Sequence, residues 1–137
     1  IFNKIENFFN KDLKNKTIAV WGLSFKPKTD DIRESSAVYL VNLLIGADVN
    51  IRAYDPVAMK ETRKQIGNKI YYASDQYDAL EGADALAMMT EWPEFYLPDF
   101  KKMAKLMKGK VIFDGRNIYD PVEIKKKGFR YFGIGRK

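Results

Sequence analysis

Five times along this chain a helix-like segment ends at or near a glycine, and a short strand-like run follows within a few residues: Gly46, Gly67, Gly82, Gly109 and Gly128. That punctuation constrains the fold more than any other feature. Helices that end in the left-handed conformation favour glycine there, and regular strand–helix alternation implies a parallel sheet with right-handed crossovers. Strands are predicted at residues 17–21, 49–54, 70–72, 83–89, 111–113 and 129–132, and helices at 1–13, 36–45, 57–66, 75–80, 98–109 and 121–127. The expected fold is a Rossmann-like, three-layer α/β/α domain with a six-stranded parallel sheet. No linker, repeat or low-complexity tract interrupts it. The helix at 36–45 is apolar almost all round and should be buried against the sheet. The first thirteen residues form an amphipathic segment, with Ile1, Ile5, Phe8, Phe9 and Leu13 on one side, that must pack on the body or on a neighbour.

The organising unit is the strand at 17–21, a break at Gly22, a charged loop, and a helix restarting where Ser35 or Ser36 can cap its free N–H groups. Strand-to-helix loops lie at the carboxyl edge of a parallel sheet, where open α/β folds bind ligands, and a helix N-terminus there favours anions. This loop carries Lys26, Lys28 and Arg33, so the expected ligand bears phosphate. The same edge receives Thr90-Glu91-Trp92 and Asp114-Gly115-Arg116-Asn117.

Each of these residues has a plain structural reading as well. Lys26 is either a solvated lysine or a cation restrained by Phe25 and Pro27. Arg33 can pair with Asp30, Asp31 or Glu34. Arg116 follows a glycine in a strand-end turn, where a planar guanidinium suits two-point contact with phosphate or carboxylate. Trp92 is either a packing residue or a stacking platform. Asp55 ends the second strand, where dinucleotide folds place a ribose-binding acid, yet Asp-Pro is also a common turn and helix start. Asp30-Asp31 alone make a poor magnesium site. The G-x-G-x-x-G fingerprint is missing, because Gly22 stands without the second and third glycines.

Composition then excludes whole chemistries. With no cysteine and no histidine, the chain has no disulfides, thiolate nucleophile, imidazole base or common zinc site. The formal charge of +6 comes from lysines spread along helical segments, which fits solvated faces rather than a nucleic-acid footprint. No apolar run approaches the length of a membrane span and no signal peptide is visible, so the expectation is a cytoplasmic protein without membrane contact. The start at Ile1 rather than methionine suggests a fragment of something longer.

The strings VWGLSFKPKTDDIRESSA (20–37), AYDPVAM (53–59), GADALAMMTEWPEF (82–95), IFDGRNIYDP (112–121) and the closing IGRK resemble the C-terminal nucleotide-sugar-binding domain of the UDP-glucose 6-dehydrogenase family, in order and spacing from residue 16 onward. The resemblance implies residues 16–137 as that domain and residues 1–15 as a helix left from the connection to an absent part. It implies a parent that uses NAD twice to oxidise UDP-glucose to UDP-glucuronate through a cysteine-bound thiohemiacetal and thioester. That parent would have an N-terminal NAD domain and be a homodimer formed through a central helix. The cysteine lies elsewhere, so the fragment alone is expected to be inactive and to hold no catalytic residue. By the same resemblance Phe25 and Lys26 contact the UDP-sugar, the lysine at its phosphates, Arg116 reaches the substrate, and Arg33 reaches across to NAD. Related UDP-N-acetylhexosamine and GDP-mannose dehydrogenases, or a non-catalytic Rossmann-like binding module, are the alternatives.

Overall fold

Ile18-Ala19-Val20-Trp21 and Ala85-Leu86-Ala87-Met88 are almost wholly apolar, and a strand with no polar face needs cover on both sides. In the computed structural model, which describes residues 1–135, these two runs lie side by side at the centre of one sheet. Its strands are β1 (Thr17–Trp21), β2 (Asn50–Tyr54), β3 (Tyr71–Tyr72), β4 (Ala85–Met88), β5 (Val111–Asp114) and β6 (Arg130–Gly133). All pairings are parallel, in the order β3-β2-β1-β4-β5-β6. The expected fold class and strand number are therefore borne out.

Alternation along each strand divides the core. Ile18 and Val20 point into a layer shared with α1 (Phe2–Phe8), α2 (Ser36–Gly46) and α3 (Met59–Ile66). Ala19 and Trp21 point into the opposite layer, with Met103 of α4 (Phe100–Leu106) and Ile124 of α5 (Pro121–Lys126). The N-terminal segment packs on the body: Ile5 and Leu13 are buried, and the Phe8 ring stands edge-on to Phe113 and Phe132, with centroids 5.9 and 5.7 Å away.

Several expectations need correction, each for a local reason. The helix expected at 75–80 is one 3-10 turn, Asp78–Leu80: at its start the Asp75 side chain accepts from Asp78 N–H at 2.7 Å, and Gly82 at φ 71 follows directly after Glu81 and stops it. A further 3-10 turn, Pro93–Phe95, was not expected. Helix α3 begins at Met59 rather than 57, since the Val57 and Ala58 amides are held by the Asp55 carboxylate. Helix α2 is buried against the sheet as expected, through Ala37, Val38, Leu40, Val41 and Leu44, while its Tyr39 is 67% exposed. Of the five punctuating glycines, Gly46 lies within the last turn of α2 and Gly109 has no positive φ. At Gly109 space decides instead, since a Cβ there would stand 2.2 Å from the Asp84 carbonyl oxygen.

The order reverses between β1 and β4, which places a crevice at their carboxyl ends. Those ends carry the loop at 22–35 and the one that follows Met88.

Candidate ligand site

Gly22 turns the chain out of β1 at φ +93, and a Cβ there would lie 2.5 Å from Thr90 N and Cβ. Only glycine allows the two central loops to approach so closely. Across that contact Thr90 Oγ1 donates to the Ser24 carbonyl at 2.8 Å, buried. The loop then folds on itself. Phe25 N–H donates to Asp31 O at 2.7 Å, Ser24 Oγ to Lys26 O at 2.8 Å, and Ser35 Oγ to Leu23 O at 2.7 Å. Ser35 also accepts from Val38 N–H at 3.2 Å, so of the two serines considered as the cap of α2 it is Ser35.

Arg116 joins the third loop to the first. Its Nε–H donates to Met89 O at 2.8 Å and its Nη2–H to Phe25 O at 3.1 Å, with Glu91 a longer 3.9 Å away. A guanidinium holding two carbonyls by its Nε side cannot also grip a ligand there. The end-on pair of N–H groups, one from each terminal nitrogen, is the part left for an anion. The Arg116 backbone is set by Asp114, which is fully buried and accepts from Arg116 N–H at 3.0 Å, Tyr119 N–H at 3.0 Å and Tyr131 O–H at 2.8 Å. Tyr119 donates in turn to Phe95 O, and burial, then the Asp114 charge, pushes its phenol well above the usual tyrosine value.

Phe25 meets Arg116 through its carbonyl, and Lys26, exposed like Phe25, follows it in the chain with its charge near enough to help lower the Asp31 carboxyl. Beside Arg116 opens a groove of about 340 Å³ lined by Ser36, Tyr39, Leu43, Met89, Gly115 and Ile134, among others. Of the seven non-glycine residues with positive φ among the described residues, three lie at this edge: Lys28 at φ 66, Glu34 at φ 57 and Asn117 at φ 55. Such backbones persist where the surroundings over-determine them. Asn117 illustrates this, since it exchanges two hydrogen bonds with the Ile134 backbone, at 2.8 and 2.9 Å.

Arg33 does not join that group. It lines a separate depression with Asp31, Ile32 and Glu61, and its side chain is 88% exposed. It makes the local pair that sequence reasoning offered: Nε and Nη2 donate to the two Asp31 oxygens at 3.1 and 2.9 Å. The Arg33 guanidinium, by hydrogen bond first, holds the Asp31 carboxyl down at about 2. No group of three or more acidic, histidine or cysteine side chains able to hold a metal occurs among the described residues.

Asp55 and Trp92 were open questions, and here they answer each other. Asp55 is fully buried and accepts five N–H bonds, from Leu23 at 2.7 Å, Ser24 at 3.0 Å, Val57 at 2.9 Å, Ala58 at 2.8 Å and the Trp92 indole at 3.1 Å. A carboxylate so enclosed has no oxygen to offer a ribose, and a Trp92 ring that is 6% exposed is no stacking platform. The Asp-Pro dipeptide signalled a turn. Nothing in sequence spacing linked it to Trp92, which is 37 residues away.

Residues 19–121 match the model for the UDP binding domain of the UDP-glucose/GDP-mannose dehydrogenase family. The chain belongs to this family. The match runs from within β1 through the charged loop and β4 to beyond the Asp114-Gly115-Arg116 turn. A UDP-glucose 6-dehydrogenase of Pseudomonas aeruginosa is 39% identical over 99% of this chain, which covers 31% of that protein. Among solved structures, a UDP-glucose dehydrogenase from Pyrobaculum islandicum superposes with TM-score 0.81 at 30% identity, over 99% of this chain and 29% of that one. A UDP-D-ManNAc dehydrogenase from Pyrococcus horikoshii does so with TM-score 0.73 at 32% identity, over 98% and 29%. The chain thus spans about three-tenths of the length of these family members. No helix among the described residues is long and apolar enough to cross a membrane.

Proposed function

We propose that this chain is the nucleotide-sugar half of an NAD-dependent UDP-glucose 6-dehydrogenase, whose parent converts UDP-glucose, two NAD and water to UDP-glucuronate and two NADH. Residues 16–137 are the nucleotide-sugar domain in this reading, and residues 1–15 lead in from the remainder of the parent. The observation that carries it is Arg116 donating to the Phe25 carbonyl at 3.1 Å. That bond joins Arg116 to the Phe25 backbone, next to Lys26 in the chain, and supports a shared site in a chain 39% identical to a UDP-glucose 6-dehydrogenase.

The roles follow from the chemistry of each group. The Lys26 ammonium neutralises the diphosphate as a point charge, while Phe25 gives an apolar face beside it. The end-on N–H pair of Arg116 donates to substrate oxygens, and its other edge keeps the β1 and β4 loops in register. With Gly22 alone in the first turn and Thr90 packed against it, this chain does not build the usual pyrophosphate cradle. NAD accordingly sits mainly on the rest of the parent, where it accepts hydride. Arg33, freed from Asp31, approaches that cofactor when the two parts close. The parent is a homodimer through its central helix.

A second reading, a dehydrogenase of a UDP-N-acetylhexosamine, draws support from the similarity to the UDP-D-ManNAc enzyme. NADH formation by the full-length parent separates the two. The first reading expects turnover with UDP-glucose, little with UDP-N-acetylmannosamine or GDP-mannose, and reduced substrate affinity and rate in Lys26→Ala and Arg116→Ala. Preferred turnover of the N-acetylated sugar overturns the substrate assignment, and unchanged kinetics in both variants overturn the site.

A further inference from the structure

Resting on that reading of the edge, we propose that the buried Asp55 carboxylate is a positioning residue of the ligand site, acting through the first loop rather than touching ligand. Its two oxygens divide the work. Oδ2 takes Leu23 N–H, Ser24 N–H and the Trp92 indole N–H. Oδ1 takes Val57 and Ala58 N–H at the start of α3. One side chain therefore ties together the ends of β1, β2 and β4.

The tie stands immediately before Phe25 and Lys26. Residues 23 and 24 have their amides fixed by Asp55, and the Ser24 carbonyl is fixed by Thr90. The direction in which the chain leaves Ser24, and with it the place of Lys26 against Arg116, is set by that carboxylate. Bonds to a charged, dry acceptor are stronger and shorter than neutral ones, so the loop is held in its working position before any ligand arrives. The position where dinucleotide folds spend an acid on ribose is here spent on the loop.

The test uses Asp55→Asn and Trp92→Phe, with Ile124→Ala in α5 as a control that removes buried volume from a residue making none of the Asp55 hydrogen bonds. An asparagine cannot accept on both sides, so one set of amides meets an N–H₂ group. The readouts, taken well below each melting temperature, are amide hydrogen exchange at Leu23 and Ser24 and the dissociation constant for UDP. Asp55→Asn is expected to speed both exchanges and weaken UDP on the order of tenfold. Trp92→Phe should move both readouts in the same direction by less, and Ile124→Ala should move neither. A folded Asp55→Asn that binds UDP as the unaltered chain does, or an equal loss in Ile124→Ala, overturns the proposal. If Asp55→Asn does not fold, unchanged exchange and affinity in Trp92→Phe overturn it. An unaltered chain indifferent to UDP refutes the site reading itself, and the proposal falls with it.

Discussion

Replacing Gly22 by alanine probes the contact on which the crevice depends. The residue sits at φ +93, and its new Cβ would lie 2.5 Å from Thr90 N and Cβ and 2.7 Å from Thr90 Oγ1. A left-handed backbone costs a residue with a side chain about 1–2 kcal/mol, and forcing a methyl into packed surroundings costs about 1–3 kcal/mol. Thr90 cannot yield freely, because its hydroxyl is committed to Ser24 O and part of the obstruction is backbone. The expected loss is therefore about 2–5 kcal/mol. With an unfolding entropy of about 0.3 kcal/mol per degree for 137 residues, that is a fall of roughly 7–17 °C in Tm. Gly46→Ala is the matched comparison: it lies in the last turn of α2 with nothing within 4 Å of an added Cβ. Alanine there should raise stability by about 0.5–1 kcal/mol. Thermal unfolding followed by circular dichroism measures both. A Gly22→Ala loss below about 1 kcal/mol would refute the reasoning from close approach.

Ile5→Ala, which empties a fully buried position in α1, should cost about 2–5 kcal/mol in denaturant unfolding. A loss near zero would show that α1 is not part of this core. Tyr131→Phe removes the hydroxyl that donates to Asp114 at 2.8 Å, at an expected cost of about 1–3 kcal/mol, and should broaden the Arg116 amide resonance. Asp31 should titrate near 2 and return toward 3.8 in Arg33→Ala, measured by carboxyl chemical shift. Its value is depressed by folding, so the pair contributes above the unfolded carboxyl value and is lost as pH falls from about 4 through about 2. A midpoint unmoved by Arg33→Ala would refute the pairing.

Strand positions and the parallel sheet were legible because buried strands in this chain are short apolar runs bounded by turn residues, and periodicity is a local property. The edge loops were legible as a set, since parallel topology sends every strand-to-helix loop to one side. What escaped was whatever distant residues decide. Asp55 read as a turn former or a ribose acid because its partners Leu23, Ser24 and Trp92 are far away in sequence. Gly46 and Gly109 read as helix ends alongside Gly67, Gly82 and Gly128, but only the latter three take positive φ. After α2 the left-handed residue is Asp48 at φ 60, which a propensity argument for glycine passes over. Arg33 shows the limit from the other side. Its pairing with Asp31, two residues away, was visible locally, whereas any approach to a cofactor depends on chain outside these residues. The closing IGRK string extends past residue 135, so Arg136 and Lys137 lie outside the described residues.

In the function proposed above, the carboxyl edge of this sheet holds a uridine nucleotide between the first loop and the Asp114-Gly115-Arg116 turn. The measurement that tests it most directly is a titration of the chain with UDP, followed by backbone amide shifts. Saturable shifts concentrated at Phe25, Lys26 and Arg116 and weakened by Lys26→Ala are expected, while Arg52 and Lys69, which line a depression away from this edge, stay still. Shifts confined to other faces, or none at all, would contradict it.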